Sequence, residues 1–509
     1  MTTARTWAIA LTGLKGDLVE VEADLSNQTP EFRIIGLPDK ALGEAVQRVH
    51  NASANCGLAL PRRRLTVNLS PASVPKHGSG FDVAIAIASL ATHGRMDAGS
   101  IAQTVHIGEL GLDGRLRPVP GVLPAVMAAA RAGRRRVIVP HANAPEASLV
   151  EGIEVVGAVS LADVARWHGA DVEECTLRPV PAPASIREEP GDADLADVIG
   201  QREAVEALIA AAAGGHHMLM SGPPGAGKTM LANRLPGILP ALDDAAALEV
   251  AAIRSLCGDS VSSLARRPPL EAPHHSASIA ALVGGGSRIL RPGAIARATH
   301  GVLFLDEVGE FPPSVLDALR QPLEKGAITI HRAGTAASFP ASFQLILATN
   351  PCPCGNYGVR GASCVCPPMA IRRYLGKLSG PLLDRVDIEL GLARVSVAHA
   401  TDPAGDTVTT DAAASRVAEA RARAAHRLRD TPWRINARVS GPWLREGPLA
   451  LAPVVRRPID AALHRGSLTL RGYDRVLRVA WTLGDLAGRA SPTVHDIGRA
   501  LFMKKGITT

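Results

Sequence analysis

The sequence predicts an α/β protein organised around a phosphate-binding core with a parallel sheet, preceded by a second α/β domain and followed by a helical C-terminal part. Two observations predict the core: residues 222–229 read GPPGAGKT, and residues 301–307 read GVLFLDE, an apolar strand that ends in an acidic pair. A third predicts the helical end. From about residue 410 onward Ala, Arg and Leu recur with helical spacing, as in RVAEARARAAHRL and YDRVLRVAWTLGDLAGRA.

The chain has 509 residues, room for about three domains, which excludes a small binding module. Hydrophobic residues at 46% and charged residues at 20% are a globular composition. A formal charge of +7 is compatible with a polyanionic partner without establishing one. No apolar run reaches the ~18 residues of a membrane span, and the opening MTTARTWAIALTGLKGD lacks the apolar stretch and cleavage site of a secretory signal. A cytoplasmic protein with no membrane partner is expected. Thiols stay reduced there, so clustered cysteines read as metal ligands rather than disulfides.

Over residues 1–175, short β-rich runs (Val19 to Ala23, Arg64 to Leu69, Val105 to Ile107, Arg136 to Val139) alternate with helical runs such as Phe81 to Leu90, which predicts one α/β domain. The Pro-rich, charged stretch LRPVPAPASIREEPG marks a linker over 176–193. The core, 194–400, opens with a helix, an apolar strand, the Gly-rich loop and a second helix. Residues 401–509 form the helical remainder.

The loop Gly222, Pro223, Pro224, Gly225, Ala226, Gly227, Lys228 and Thr229 fits G-x-x-x-x-G-K-[ST], in which backbone N–H groups close around phosphates. That implies ATP, with Lys228 on its β- and γ-phosphates and the Thr229 hydroxyl on Mg²⁺. In VLFLDE the apolar run is a buried strand that delivers Asp306 to its carboxyl end beside Mg²⁺, and Glu307 follows as candidate general base. The next apolar run, FQLILATN, ends in Asn350, whose amide can orient water against the γ-phosphate.

IGQREA, GPPGAGKT, GVLFLDE, ATN and SGPLLDRVDIEL, in that order, resemble the AAA+ ATPases of the magnesium-chelatase and MCM-helicase branch. Nearly the whole chain is similar to the YifB/ComM family of magnesium-chelatase-like proteins. The resemblance implies a homo-hexameric ring in which Arg385 of LLDR is the arginine finger acting on the neighbour's nucleotide; a surface arginine paired with Asp384 or Asp387 is the plainer alternative. It implies that Arg471 in LTLRGYDRVLRVAW, within a helical lid, is the second sensor for the γ-phosphate, with Arg478 as the fallback. HHSASIAALVGGGSRILRPGAIARATHG matches the helix-two insert, with Arg288 and Arg291 as its basic residues. GAITIHRAGTAASFP matches the pre-sensor hairpin, with His331 and Arg332 near its tip. Basic tips in a ring channel suit a sequence-independent grip on DNA phosphates. The family associates such a motor with helicase action and branch migration of recombination intermediates; a magnesium-chelatase type of remodelling chaperone acting on a protein partner is the alternative.

PKHGSGFD at 75–82 and IGELGLDGRLRPVPGVLPAV at 107–126 resemble the proteolytic domain of Lon, an S5 domain 2-type fold. The serine of the Lon dyad falls on Gly80 and its lysine on Pro124, so no peptidase activity is expected. The resemblance also sets the chain apart from chelatase motor subunits, which are expected to lack such a domain. PRRR at 61–64 offers a basic patch or simply a solvated run. Finally, Cys352, Cys354, Cys364 and Cys366 lie within fifteen residues and could close a tetrahedral Zn²⁺ site or stay free thiols, while Cys56, Cys175 and Cys257 are isolated.

Overall fold

The computed structural model describes residues 3–36, 40–173, 177–182, 193–286, 290–332, 335–359, 361–394 and 407–505. Arg288, Cys175 and most of the 176–193 stretch lie outside the described residues.

In the N-terminal domain, strands β1 (Thr3–Thr12), β2 (Lys15–Ser26), β3 (Glu31–Ile35), β4 (Arg64–Ser70), β5 (Thr104–His106), β8 (Arg136–Pro140) and β9 (Glu154–Ala158) make one seven-stranded sheet. The order is β3-β4-β2-β1-β5-β8-β9, antiparallel through β1, β2 and β4 and parallel elsewhere. A two-residue hairpin, β6 (Glu109–Leu110) with β7 (Leu116–Arg117), stands apart. Strand β1 lies inside this sheet, between β2 and β5. Its run AIAL packs on both faces, which hides the period-two alternation of a half-buried strand.

The core contains β10 (Met218–Ser221), β11 (Leu270–Glu271), β14 (Val302–Leu305), β17 (Gln344–Thr349) and β18 (Ile388–Gly391), ordered β11-β14-β17-β10-β18 with every pairing parallel. Alternation along these strands divides two apolar layers. Met218, Met220, Phe304 and Ile346 pack on one face under the Ala-rich helix Arg202–Gly214, while Leu219, Leu303, Leu305 and Leu347 pack on the other. Two short pairs branch from the core, β12 (Gly284–Gly285) with β13 (Arg291–Pro292) and β15 (Ala327–Arg332) with β16 (Thr335–Pro340).

The C-terminal helices Thr410–Arg427 and Leu470–Leu486 each begin at a threonine whose hydroxyl accepts a first-turn N–H, Thr409 from Ala412 and Thr469 from Gly472. Both pack on helix Arg202–Gly214, where Arg416 holds Glu206 through two nitrogens at 2.9 and 2.8 Å. Deeper, the carboxylate of Asp387, 2% exposed, accepts from His216 Nδ1 at 3.1 Å and pairs with Arg475. Burial alone would raise its pKa; Arg475 and then His216 outweigh it and hold the carboxyl far below the ordinary range.

The N-terminal domain is not an appendage. Val119, Val122 and Leu123 pack in one cluster with Ala251, Ala252 and Val261 of the core, and Gly121 N–H donates to Ser255 O at 2.9 Å. The turn between β1 and β2 sends Leu11 and Leu14 against the cluster that contains Phe339 of β16. Among the described residues no helix is long and apolar enough to cross a membrane.

Asp387→Asn would leave the Arg475 guanidinium without its counter-charge at the seam between sheet and lid. The expected loss is about 3–5 kcal/mol in urea unfolding of the full chain; an unchanged unfolding curve would contradict the role given to this pair.

Candidate active site

Three adjacent strands of the core sheet finish on one edge, and each carries a candidate residue past its last position. β10 runs into the loop 222–227, which bends through left-handed Gly225 and Gly227 (φ +78° and +84°) before helix Lys228–Ile238 begins. A side chain at either position would strain the turn that aims the N–H groups inward. Lys228 curls back over the loop: its ammonium donates to Gly222 O at 2.6 Å, Pro223 O at 3.0 Å and the Asn350 side-chain Oδ1 at 3.0 Å. Burial lowers its pKa, opposed by the negative charges of Asp306 and Glu307.

At the end of β14, Asp306 accepts the Thr229 hydroxyl through Oδ2 at 2.6 Å and the Glu307 N–H through Oδ1 at 2.8 Å. The hydroxyl and the carboxylate are hard oxygen donors on adjoining elements, a donor set that fits Mg²⁺ shared with phosphate oxygens. Glu307 itself is held at φ +50°, one of two non-glycine residues with positive φ among those described. That conformation costs about 1–3 kcal/mol, and its half-exposed carboxylate has His275 Nδ1 3.5 Å from Oε2. His275 was not singled out from the sequence; its contact with Glu307 crosses 32 residues of chain and is created by folding. At the end of β17, Asn350 sits between the two, its amide already bonded to Lys228.

Arg385 and Arg471 are elsewhere. β18 runs parallel to β10 with Met218 beside Ile388, so Arg385, three residues before β18, stands at the sheet edge opposite Lys228. It pairs with Glu324 and donates to Pro381 O at 2.5 Å, so neither Asp384 nor Asp387 is its partner. Arg471 is placed by the fold on this same edge, bonded to Asp384 at 3.0 Å and 72% exposed. Arg471 thus lies beside the LLDR turn, and its bonded partner is Asp384 rather than a group of the phosphate loop. Beside these residues opens a cleft of about 630 Å³, lined by Arg385, Arg421, Arg438, Arg475 and Arg478. Arg478 bonds Val439 O at 2.9 Å and takes no place at the phosphate loop.

β15 and β16 form the expected hairpin immediately before β17; His331, opposite Ala336, is exposed, and Arg332 closes the paired segment opposite Thr335. Arg291 lies in β13, lining a small cleft with Asn143 and Glu146 of the N-terminal domain and Asp259.

Cys352, Cys354, Cys364 and Cys366 converge, with all four sulfurs within 4.8 Å of one another. In the N-terminal domain the Ser79 hydroxyl donates to Glu109, and the nearby Lys76 is fully buried with its ammonium on Gly36 O (3.0 Å) and Pro71 O (2.5 Å). Neither Gly80 nor Pro124 supplies a nucleophile or a base, and Lys76 is spent on carbonyls.

Family profiles match three segments: "magnesium chelatase, subunit ChlI" over 194–400, "subunit ChlI of Mg-chelatase" over 21–143, and "magnesium chelatase, subunit ChlI C-terminal" over 407–504. The chain is 48% identical over 511 residues to an uncharacterized protein of Mycobacterium tuberculosis, covering 99% of each. It is 41% identical to competence protein ComM of Haemophilus influenzae (98% of this chain, 97% of that one) and 39% identical to YifB of Escherichia coli (94% and 92%). Part of the chain, 31% of it, is 30% identical to Lon protease of Mycolicibacterium smegmatis.

Glu307→Gln should bind ATP as before and hydrolyse it about 10²–10⁴-fold more slowly, as a lost general base requires. Single-turnover hydrolysis beside nucleotide affinity checks this; retained hydrolysis would return Glu307 to a structural role.

Proposed function

The chain belongs to the YifB/ComM family of magnesium-chelatase-like AAA+ ATPases, and from that premise we propose that it is a hexameric motor that draws single-stranded or branched DNA through its ring, acting as a helicase in branch migration. The observation that carries the ring is the placement of Arg385 on the edge opposite Lys228. An arginine there serves a nucleotide held by the next subunit and cannot serve its own. Arg471, tied to Asp384 beside it, joins it at that boundary, so its sensing is likewise done across subunits.

Each ATP site is then composite. The 222–229 loop and Lys228 bind the phosphates and neutralise their charge. Thr229 and Asp306 would hold Mg²⁺, which would supply positive charge to neutralise the phosphates. Glu307 takes the proton of the attacking water, Asn350 orients that water from its seat on Lys228, and the neighbour's Arg385 stabilises the charge that develops as the bond to the leaving phosphate breaks. Because β17 carries Asn350 at one end and receives the β15–β16 hairpin at the other, changes at the γ-phosphate have a short rigid route to His331 and Arg332. Those two residues, with Arg288 in the neighbouring insert, grip backbone phosphates without reading bases. We assign the four cysteines to one structural Zn²⁺.

ATP hydrolysis measured with and without single-stranded, duplex and four-way-junction DNA tests the cargo, with Lys228→Ala as the inactive control. Stimulation by at least one DNA is expected. Absence of both stimulation and binding would overturn the DNA reading and favour remodelling of a protein partner, the alternative supported by the chelatase description over residues 21–143. Mixing Lys228→Ala with Arg385→Ala, each inactive alone, should restore hydrolysis by pairing an intact loop with a neighbour's intact arginine; no recovery in mixed rings argues against the composite site. Elemental analysis under reducing conditions should return about one zinc per chain.

A further inference from the structure

The cysteine cluster begins two residues after Asn350 and ends at the helix Pro368–Leu375. Its sulfurs are 3.4 Å (Cys352 to Cys354), 3.7 Å (Cys352 to Cys364) and 3.8 Å (Cys354 to Cys364) apart. Four thiolates at a Zn–S distance of about 2.3 Å around a tetrahedral centre stand about 3.8 Å from one another, so the donors are already spaced for the ion. Backbone N–H groups point at the sulfurs as they do where thiolate charge must be held. Tyr357 N donates to Cys352 Sγ at 3.3 Å, and the backbone N–H groups of Asn356 and Val365 point at the Cys354 sulfur.

The loop touches the ATP site in three places. It leaves β17 at Asn350, which bonds Lys228. Its turn at Gly355 (φ +78°) presses on the phosphate loop so closely that an added Cβ would meet Pro224 Cδ at 2.4 Å. The helix that follows lays Tyr374 over Gly309, where an added Cβ would meet Cζ at 2.3 Å, and Gly309 is in the turn just after Glu307. Little apolar packing holds the loop there: Tyr357, Val365 and Met369 are 54%, 82% and 69% exposed.

We propose that the zinc held by Cys352, Cys354, Cys364 and Cys366 is a positioning element of the ATP site, fixing the loop that braces Pro224 on one side and the Glu307 turn on the other. This rests on the zinc assignment above and adds that the metal sets nucleotide affinity and turnover. Loss of the ion frees Gly355 from Pro224 and Tyr374 from Gly309, and the phosphate loop, the catalytic carboxylate and Asn350 lose their common support.

The test uses the full chain under reducing conditions, with zinc content, fluorescent ATP affinity and circular dichroism read together. Cys366→Ser should lose the metal and weaken nucleotide binding roughly 10- to 100-fold with its helical signal retained, as a displaced site requires. Gly355→Ala should keep about one metal per chain and still weaken binding, because it disturbs the contact and not the ligands. In protein loaded with Co²⁺ in place of zinc, the sulfur-to-cobalt absorption should shift when ATP and Mg²⁺ are added, and should not shift in Lys228→Ala. A wild-type chain without zinc or affinity for it overturns the metal assignment itself. A chain that binds zinc but holds ATP equally well when stripped, with a cobalt spectrum indifferent to nucleotide, keeps the metal and overturns the positioning role.

Discussion

Strands that all run one way must all finish on one side, and in the core of this protein that requirement governs the rest. β14, β17 and β10 are consecutive in the sheet. Their ends therefore bring the acidic pair, Asn350 and the phosphate loop into one row, with the amide between lysine and carboxylates. The same requirement sends whatever precedes a strand to the far side. Arg385 precedes β18 and therefore stands at the edge of the sheet opposite the phosphate loop.

The buried Asp387 ties the two halves to the lid. It sits at the start of β18, yet its partners are His216, leading into β10, and Arg475 of the C-terminal helix Leu470–Leu486. A rotation of the lid therefore moves the ground on which Arg385 and Arg471 stand, while leaving the phosphate loop in its apolar bed.

The parts of the site legible in the sequence are those whose chemistry requires a local pattern. Gly225 and Gly227 announce a left-handed turn, and four apolar residues before Asp306 announce a buried strand with its end exposed. What the sequence did not reveal depends on partners far along the chain. Nothing in LTLRGYDR says which side of the sheet its helix begins on; Asp384 decides, 87 positions away. The left-handed backbone of Glu307 is imposed by the turn that follows, in a residue type that seldom adopts it. Gly355 reads as a turn former, and its pressure on Pro224 emerges only when two loops separated by β14 and β17 fold against each other. Even β1 escaped notice, since a strand buried on both faces looks like any short apolar run.

The contact between the β1–β2 turn and β16 gives the N-terminal domain a mechanical place against the core. Leu11 and Leu14 lean on the hairpin that carries His331, and helix Val122–Arg131 is fastened to the core through Ser255. A hairpin braced in this way does not flap freely: any stroke it makes is loaded by the mass of a folded domain, and any force on that domain returns to the hairpin. Through these contacts the N-terminal domain bears on the hairpin as a handle bears on a tool.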